Sequence, residues 1–336
     1  MKSVVIFGAG ISGLSAAHEL VRLGYAVSVY EALDQAGGFF RSSRIGQSNM
    51  PAEYSWHGMG PWYHNTFDLM HEIPFNEKGN IYDLALSRPL DFGIFPDSGK
   101  AQFYDKGLKS IPRMFSMDNW EFIKWAYLML KTWTSNNRSK IEYDRLNAAQ
   151  AWKPLLKDKA NRTWRSCFGP WIGSDWSKVS LHTAGEFFRK QLITKPVHRH
   201  EADEDGPAWA QGAGIGWLLF KGPSSEYWFN PWVRYLEEKG VRFFWKKSLT
   251  KLEFDGAHTK TQAQVWSIEG AVESGRRAAK AIDGRVEVID QYRPVWIKTI
   301  AKTDDILYSI KAPHIIDFIF WSLLILCGCM FYLCFW

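Results

Sequence analysis

The hydrophobic pattern of this chain is sharpest at its beginning. Val4–Phe7 is a short, unbroken apolar run of the kind that fills a buried parallel strand. Ser12–Leu23 changes rhythm: Leu14, Ala17, Leu20 and Val21 recur at helical spacing, and Gly24 supplies a stop. Val27–Tyr30 is a second apolar run, so the order is strand, helix, strand, a βαβ unit. Beyond Gln47 that alternation fades. Helical periodicity predicts helices at Thr66–Glu72, Asn119–Thr134, Thr183–Leu192 and Trp232–Lys239, and again at Ile268–Ile282. Val241–Trp245, Leu249–Phe254 and Arg285–Asp290 read as strands, and Arg199–Gly206 as an acidic loop. The last stretch, Phe318–Trp336, has no charged residue. At about 1.5 Å per residue a helix of that length approaches the hydrocarbon thickness of a bilayer, so a C-terminal transmembrane helix is expected.

Composition alters this picture in one respect. The chain has 336 residues, of which 18 are Trp, 22 Phe and 13 Tyr. Many of the aromatics fall in the middle of the chain, which suits either an apolar pocket or an aromatic core. A net charge of +6 is mild and its basic residues are scattered, so nucleic acid is not an expected partner. Cys167 stands alone and Cys327, Cys329 and Cys334 lie in the apolar terminus; no disulfide framework or metal-ligand spacing is expected. Lys298, Lys302 and Lys311 precede the apolar terminus, which favours a cytosolic body for a tail-anchored protein.

The chemistry sits in the turn of the βαβ unit. Gly8-Ala9-Gly10-Ile11-Ser12-Gly13 is a G-x-G-x-x-G placed directly after a strand and opening a helix. Such a turn lets a pyrophosphate reach the backbone and the helix N-terminus. Glu31 ends the second strand, with Ala32 beside it, where a carboxylate can accept hydrogen bonds from a ribose diol. Gly37-Gly38 follows, and then Arg41 and Arg44.

These residues resemble the extended FAD fingerprint of the FAD-dependent amine oxidase and phytoene desaturase superfamily. In that fingerprint a Gly-Gly pair follows the ribose acid and a basic residue comes next; here Phe39 takes that place. Glu53-Tyr54-Ser55-Trp56-His57, followed by Gly58 to Asn65, is similar to the corresponding segment of plant-type phytoene and zeta-carotene desaturases. The resemblance implies that His57 lies near the flavin, as the one candidate catalytic residue, with a structural histidine as the alternative. A second resemblance spans Gly256 to Thr261 and Ser267 to Ala279, the closing FAD motif of the same superfamily. It implies that Ala257, His258, Ile268, Glu269, Gly270 and Ala271 join the cofactor site. Relatives have a long segment before this motif, so the chain reads as one with an internal deletion near Phe254–Gly256.

The expected fold is therefore α/β: a Rossmann-like FAD-binding domain (1–52 and 232–292) with an inserted, largely helical substrate domain (53–231). A linker (293–314) and a transmembrane tail (315–336) complete it. The resemblance implies a membrane-anchored, FAD-dependent oxidoreductase that dehydrogenates a lipophilic, isoprenoid-like substrate. Its partners would be the lipid bilayer, through Phe318–Trp336, and a quinone-type acceptor. A flavin amine oxidase is the alternative within the same class. A catalytically inactive, truncated flavoprotein acting as a membrane-associated binding module is the alternative of another class.

Overall fold

A computed structural model describes residues 2–54, 57–87, 93–94, 102–103, 110–194, 217–250 and 267–322. They fall into two compact units, Met1–Leu90 with Lys195–Gln291, and Asp91–Thr194 with Tyr292–Trp336. The boundaries differ from the expected ones. The segment up to Leu90 joins the dinucleotide-binding unit, and the expected linker contains a helix, Val295–Ser309, that belongs to the second unit.

The first unit is built on β1 (Ser3–Phe7), α1 (Ile11–Arg22) and β2 (Ala26–Tyr30). β1 and β2 pair in parallel, Ser3 opposite Ala26 and Phe7 opposite Tyr30, and the Arg242–Phe244 strand pairs in parallel with the other edge of β2. Among the described residues the sheet order places β1 at an edge. Val5 and Phe7 are 53% and 51% exposed, which differs from the buried strand expected at Val4–Phe7.

α1 buries Leu14, Ala17 and Leu20. It packs against the Ile268–Ile282 helix through Gly275, where a Cβ would stand 2.2 Å from Ser12 O. Only glycine permits that approach. Beside it, Arg276 is buried and paired. Its Nε lies 2.9 Å from Glu19 Oε1, and its Nη2 donates to Asp68 Oδ2 (2.5 Å). Burial alone would lower the guanidinium's proton affinity, but Glu19 and Asp68 outweigh it and raise it. The pairs therefore lock α1, α2 (His64–Glu72) and the Ile268–Ile282 helix into one charged joint.

Asn65, in the first turn of α2, reaches the same joint. Its side chain brackets the backbone of Ile289: Nδ2 donates to Ile289 O (3.0 Å) and Oδ1 accepts from Ile289 N (2.9 Å). This explains why the expected strand at Arg285–Asp290 is irregular chain instead. A side-chain amide fills the hydrogen-bonding places that a neighbouring strand would fill. Leu249 and Thr250 lie outside regular structure, while the rest of the expected Leu249–Phe254 strand, the deletion point and Arg199–Gly206 lie outside the described residues.

The second unit holds the helices Asn119–Trp133, Asp158–Ile172, Leu181–Leu192 and Val295–Ser309. Asp118 and Glu121 cap the first reciprocally, each side chain accepting from the other's backbone N–H. The aromatic richness of the sequence is spent here on packing. Trp125, Trp152 and Trp164 are buried together with Phe168, Phe187 and Phe188, and Phe115 stacks on Trp164 at 3.9 Å. Cys167 is partly covered, and burial pushes its thiol up to about 11.

The expected C-terminal transmembrane helix is not supported: among the described residues no helix is long and apolar enough to cross a membrane. A helix begins at 315, but its first turn is tied to the second unit by polar contacts. Lys131 Nζ donates to both Asp317 carboxylate oxygens (2.8 and 3.0 Å), Tyr127 Oη donates to the same carboxylate, and His314 is buried with Nε2 3.0 Å from Lys131 O. Residues 323–336 of the expected span, with Cys327, Cys329 and Cys334, lie outside the described residues. The single-pass anchor, the bilayer partner and the membrane quinone acceptor inferred from it lose their support together.

Candidate dinucleotide-binding site

β1 ends at Phe7 and α1 begins at Ile11, so Gly8-Ala9-Gly10 forms the turn between them. Gly8 N donates to Tyr30 O (2.7 Å), fixing the turn at the end of β2. Gly10 is the N-cap of α1, with no side-chain cap and no acidic residue in the first turn. Ile11 and Ser12 therefore present helix-start amides and the positive end of the dipole, which suit a phosphate. A Cβ on Gly13 would lie 2.0 Å from Gly8 O, so helix and turn meet as closely as backbone allows.

Ala9 is the knot of the site. Its N–H donates to Glu31 Oε2 (2.7 Å), and its carbonyl accepts from Gly37 N (2.9 Å). One residue thereby joins the phosphate turn, the ribose acid and the Gly-Gly pair. Glu31 Oε1 also accepts from Leu33 N (2.9 Å), while Ala32 is exposed beside it. Each carboxylate oxygen keeps further lone-pair capacity for the hydroxyls of a diol. Gly37 has φ +107, and a Cβ there would meet the Phe229 ring at 2.6 Å; a Cβ on Gly38 would stand 3.1 Å from Gly10 Cα. These residues fit a dinucleotide: the two glycine turns meet backbone to backbone at Gly10 and Gly38, and the Glu31 carboxylate is held beside them at Ala9 N.

The arginines divide. Arg41 Nη1 donates to Gly38 O (2.6 Å), bracing the Gly-Gly turn, and its guanidinium lies over the Tyr54 ring at 5.7 Å. Arg44 pairs at the surface with Glu226. The closing motif is also divided. Ala257 and His258 lie outside the described residues. Ile268 is buried, and Ser267 caps its helix by accepting from Gly270 N at its hydroxyl (3.1 Å) and from Ala271 N at its carbonyl (3.1 Å). Glu269, expected near the cofactor, instead accepts from the N-terminal turn of α2. Its Oε1 takes Asn65 N (3.1 Å), Asn65 Nδ2 (2.8 Å) and Gln291 Nε2 (3.1 Å), and its Oε2 takes Thr66 N (3.0 Å) and Thr66 Oγ1 (2.8 Å). Burial pushes this carboxyl up, and the Asn65 and Thr66 donors pull against that.

His57 is 7% exposed and lies against the Phe40 ring, centroids 4.8 Å apart, where the Gly37–Phe40 turn ends. Its Nδ1 is 2.9 Å from Glu53 Oε2. Glu53 is itself held by donors from Ser42 Oγ, Ser224 N (2.7 Å) and Ser224 Oγ (2.8 Å). Burial would raise the Glu53 carboxyl, yet these hydrogen bonds, chiefly those of Ser42 and Ser224, hold it below the ordinary range. Burial lowers His57, and Glu53 offsets part of that. The serines carry no periodic signal in the sequence; the four-residue spacing of Glu53 and His57 was the only visible trace of this cluster.

Residues 6–73 match the family described as NAD(P)-binding Rossmann-like domain. The chain is 46% identical over 46 residues to the flavin-dependent L-tryptophan oxidase RebO of Lentzea aerocolonigenes, covering 14% of this chain and 10% of that protein. It is 58% identical over 41 residues to the hydroxysqualene dehydroxylase of Rhodopseudomonas palustris, covering 12% and 10%. AofH of Mycobacterium tuberculosis, assigned by its name to the flavin-containing monoamine oxidases, is 41% identical over 70 residues, covering 21% and 15%. Among solved structures, an oxidoreductase from Methanosarcina mazei is similar with TM-score 0.49 and 16% identity, over 76% of this chain and 53% of that one. The matched segments span 15% or less of these curated relatives' lengths, and the chain spans about half of the solved structure.

The turn geometry and the match over residues 6–73 show a Rossmann-like dinucleotide-binding fold, and the short matches to flavin-dependent enzymes support FAD as its cofactor and an oxidoreductase as the class of protein. The narrower resemblance to plant-type phytoene and zeta-carotene desaturases is not supported; the relatives matched are an amino-acid oxidase, a dehydroxylase and a monoamine oxidase by name. The expectation of a membrane-anchored enzyme dehydrogenating an isoprenoid-like lipid is corrected accordingly. No described helix supplies the anchor, and the amine-oxidase alternative is the better supported of the two.

Proposed function

We infer that this chain is an FAD-dependent oxidoreductase acting on an amine-type substrate. The observation that carries the cofactor half is the double role of Ala9, whose N–H holds Glu31 and whose carbonyl holds the Gly37 turn. Gly8, Gly10, Ile11, Ser12 and Gly13 would hold the pyrophosphate, and Glu31 the ribose. Arg41 would keep the Gly37-Gly38 turn closed over the cofactor. The substrate half is supported by two of the matched relatives, one named for L-tryptophan and one for monoamines.

FAD, when bound, supplies a two-electron sink that accepts a hydride. The chain supplies the rest: orientation at the glycine turns, a carboxylate for the ribose, and a buried histidine at the end of the Gly-Gly turn. Anaerobic mixing of the FAD-loaded protein with primary and secondary amines and with aromatic amino acids tests the reading. Loss of the oxidised flavin absorbance with an amine is the expected result. A flavin that stays oxidised across the whole panel rejects the amine substrate while leaving the cofactor assignment standing.

A further inference from the structure

The second unit carries a charged cleft that has no part in the flavin chemistry. It opens at the surface with a volume of about 610 Å3, a size typical of small-molecule sites. Its walls are the turn at Lys153–Leu155, the Asp158–Ile172 helix and the turn at 175–178. Cross-ties fix these walls to one another. Asn161 Nδ2, on the helix, donates to Leu156 O (3.0 Å). Ala149 N donates to Trp176 O (3.2 Å) and Ala148 N to Val179 O (2.9 Å), which seats the second turn on the Ala148–Trp152 helix leading into Lys153. The cleft is therefore formed before any ligand arrives.

Its lining is unequal in charge. Lys153, Arg162, Arg165 and Lys178 are set against two carboxylates, Asp158 and Asp175. Both carboxylates have local roles. Asp158 sits in the first turn of its helix, where negative charge suits the dipole. Asp175 Oδ1 accepts from Ser177 N (2.8 Å) and Ser177 Oγ; these bonds, helped by Arg165 and Lys178 nearby, hold the carboxyl below its ordinary range. The cations are less occupied. Among the described residues neither the Arg165 guanidinium nor the Lys178 ammonium makes a hydrogen bond or an ion pair, and the Lys153 ammonium lies over the Trp176 ring at 5.6 Å. Cations gathered in a concave wall add their fields and draw anions to it.

We propose that this cleft binds a small molecule bearing a phosphate group, with Lys153, Arg165 and Lys178 as its anion contacts. Those three side chains come from three different walls. A tetrahedral dianion accepts from several directions at once, whereas a planar carboxylate is matched by the fork of a single arginine. The cleft is also larger than a phosphate group alone fills, so the ligand is a phosphate ester whose body takes up the remaining space.

Isothermal titration calorimetry of the full chain with inorganic phosphate, glucose 6-phosphate and phenyl phosphate tests this. At least one of the two esters should bind one-to-one, about tenfold or more tightly than inorganic phosphate. Replacing Arg165→Gln together with Lys178→Gln should weaken that ester about tenfold or more, since two charged donors are lost. Lys140→Gln together with Lys159→Gln removes the same charge outside the cleft and should change affinity less than about twofold. All four side chains are exposed, so both pairs are expected to fold, which circular dichroism checks. No binding of either ester, or an equal loss in the two variant pairs, overturns the proposal. Inorganic phosphate binding as tightly as both esters overturns the assignment of an ester. The substituted residues all lie in the second unit, and the comparison between the pairs holds whether or not the first unit takes up FAD.

Discussion

Replacing Glu269 with alanine is expected to loosen the joint that seats α2 on the Ile268–Ile282 helix. The carboxylate accepts five hydrogen bonds at 2.8–3.1 Å from Asn65, Thr66 and Gln291, and it is fully buried. Two of the donors, Asn65 N and Thr66 N, belong to the first turn of α2, where no intrahelical partner exists. A buried donor left without its acceptor costs about 1–3 kcal/mol, and donors that share one acceptor do not add in full. Removing the carboxylate is therefore expected to cost about 4 kcal/mol, close to a thousandfold in the local opening equilibrium. Glu269→Gln keeps one acceptor oxygen but turns an amide NH2 toward donors, and should cost about half as much. Native-state hydrogen exchange reads this directly: protection of the Asn65 and Thr66 amides should drop sharply in the alanine variant and partially in the glutamine variant. A loss below about 1 kcal/mol in the alanine variant, the range of surface substitutions, would refute the reasoning.

Gly13→Ala places a Cβ 2.0 Å from Gly8 O, against backbone that cannot yield, so FAD affinity should fall at least tenfold by fluorescence titration while circular dichroism still reports helix. The depressed His57 links stability to pH. Its folded value lies below the unfolded 6.5, so its contribution is whole above 6.5 and drains away as pH falls through 6.5 toward the folded value. Urea midpoints at about pH 7.5 and about pH 5.5 should differ by less in His57→Gln than in the parent. With its thiol raised from 9.0 to about 11, Cys167 should alkylate about a hundredfold more slowly than a free thiol at mildly alkaline pH, as followed by mass spectrometry of its peptide.

What the sequence disclosed follows from how local each feature is. The βαβ unit was legible because Val4–Phe7, the helical face of Leu14, Ala17 and Leu20, and Val27–Tyr30 each encode their element within a few residues. Gly8 to Gly13, Glu31 and Gly37-Gly38 were legible for the same reason, since a turn that must touch backbone leaves glycines at fixed spacing. The neighbours that complete the site were not. Ser42 and Ser224 meet across 182 positions, and nothing in either segment signals the other. Glu269 was expected near the cofactor from its place in a motif, yet its side chain caps α2 (a contact only three dimensions reveal). Arg285–Asp290 read as a strand, but the Asn65 amide took the place of a strand partner. Aromatic richness pointed equally to a pocket and a core, and the stacking of Phe115, Trp125, Trp152 and Trp164 shows the core in the second unit.

Turn, acid and Gly-Gly pair meet at the knot at Ala9, the centre of the cofactor site. Titrating the purified, flavin-free chain with FAD, followed by flavin fluorescence and the visible spectrum, measures whether that knot holds the cofactor. The prediction is saturable, one-to-one binding that Glu31→Gln weakens about tenfold or more by removing the charged acceptor at the ribose. A folded chain that takes up no FAD, or that binds it equally well without Glu31, would contradict the assignment at its centre.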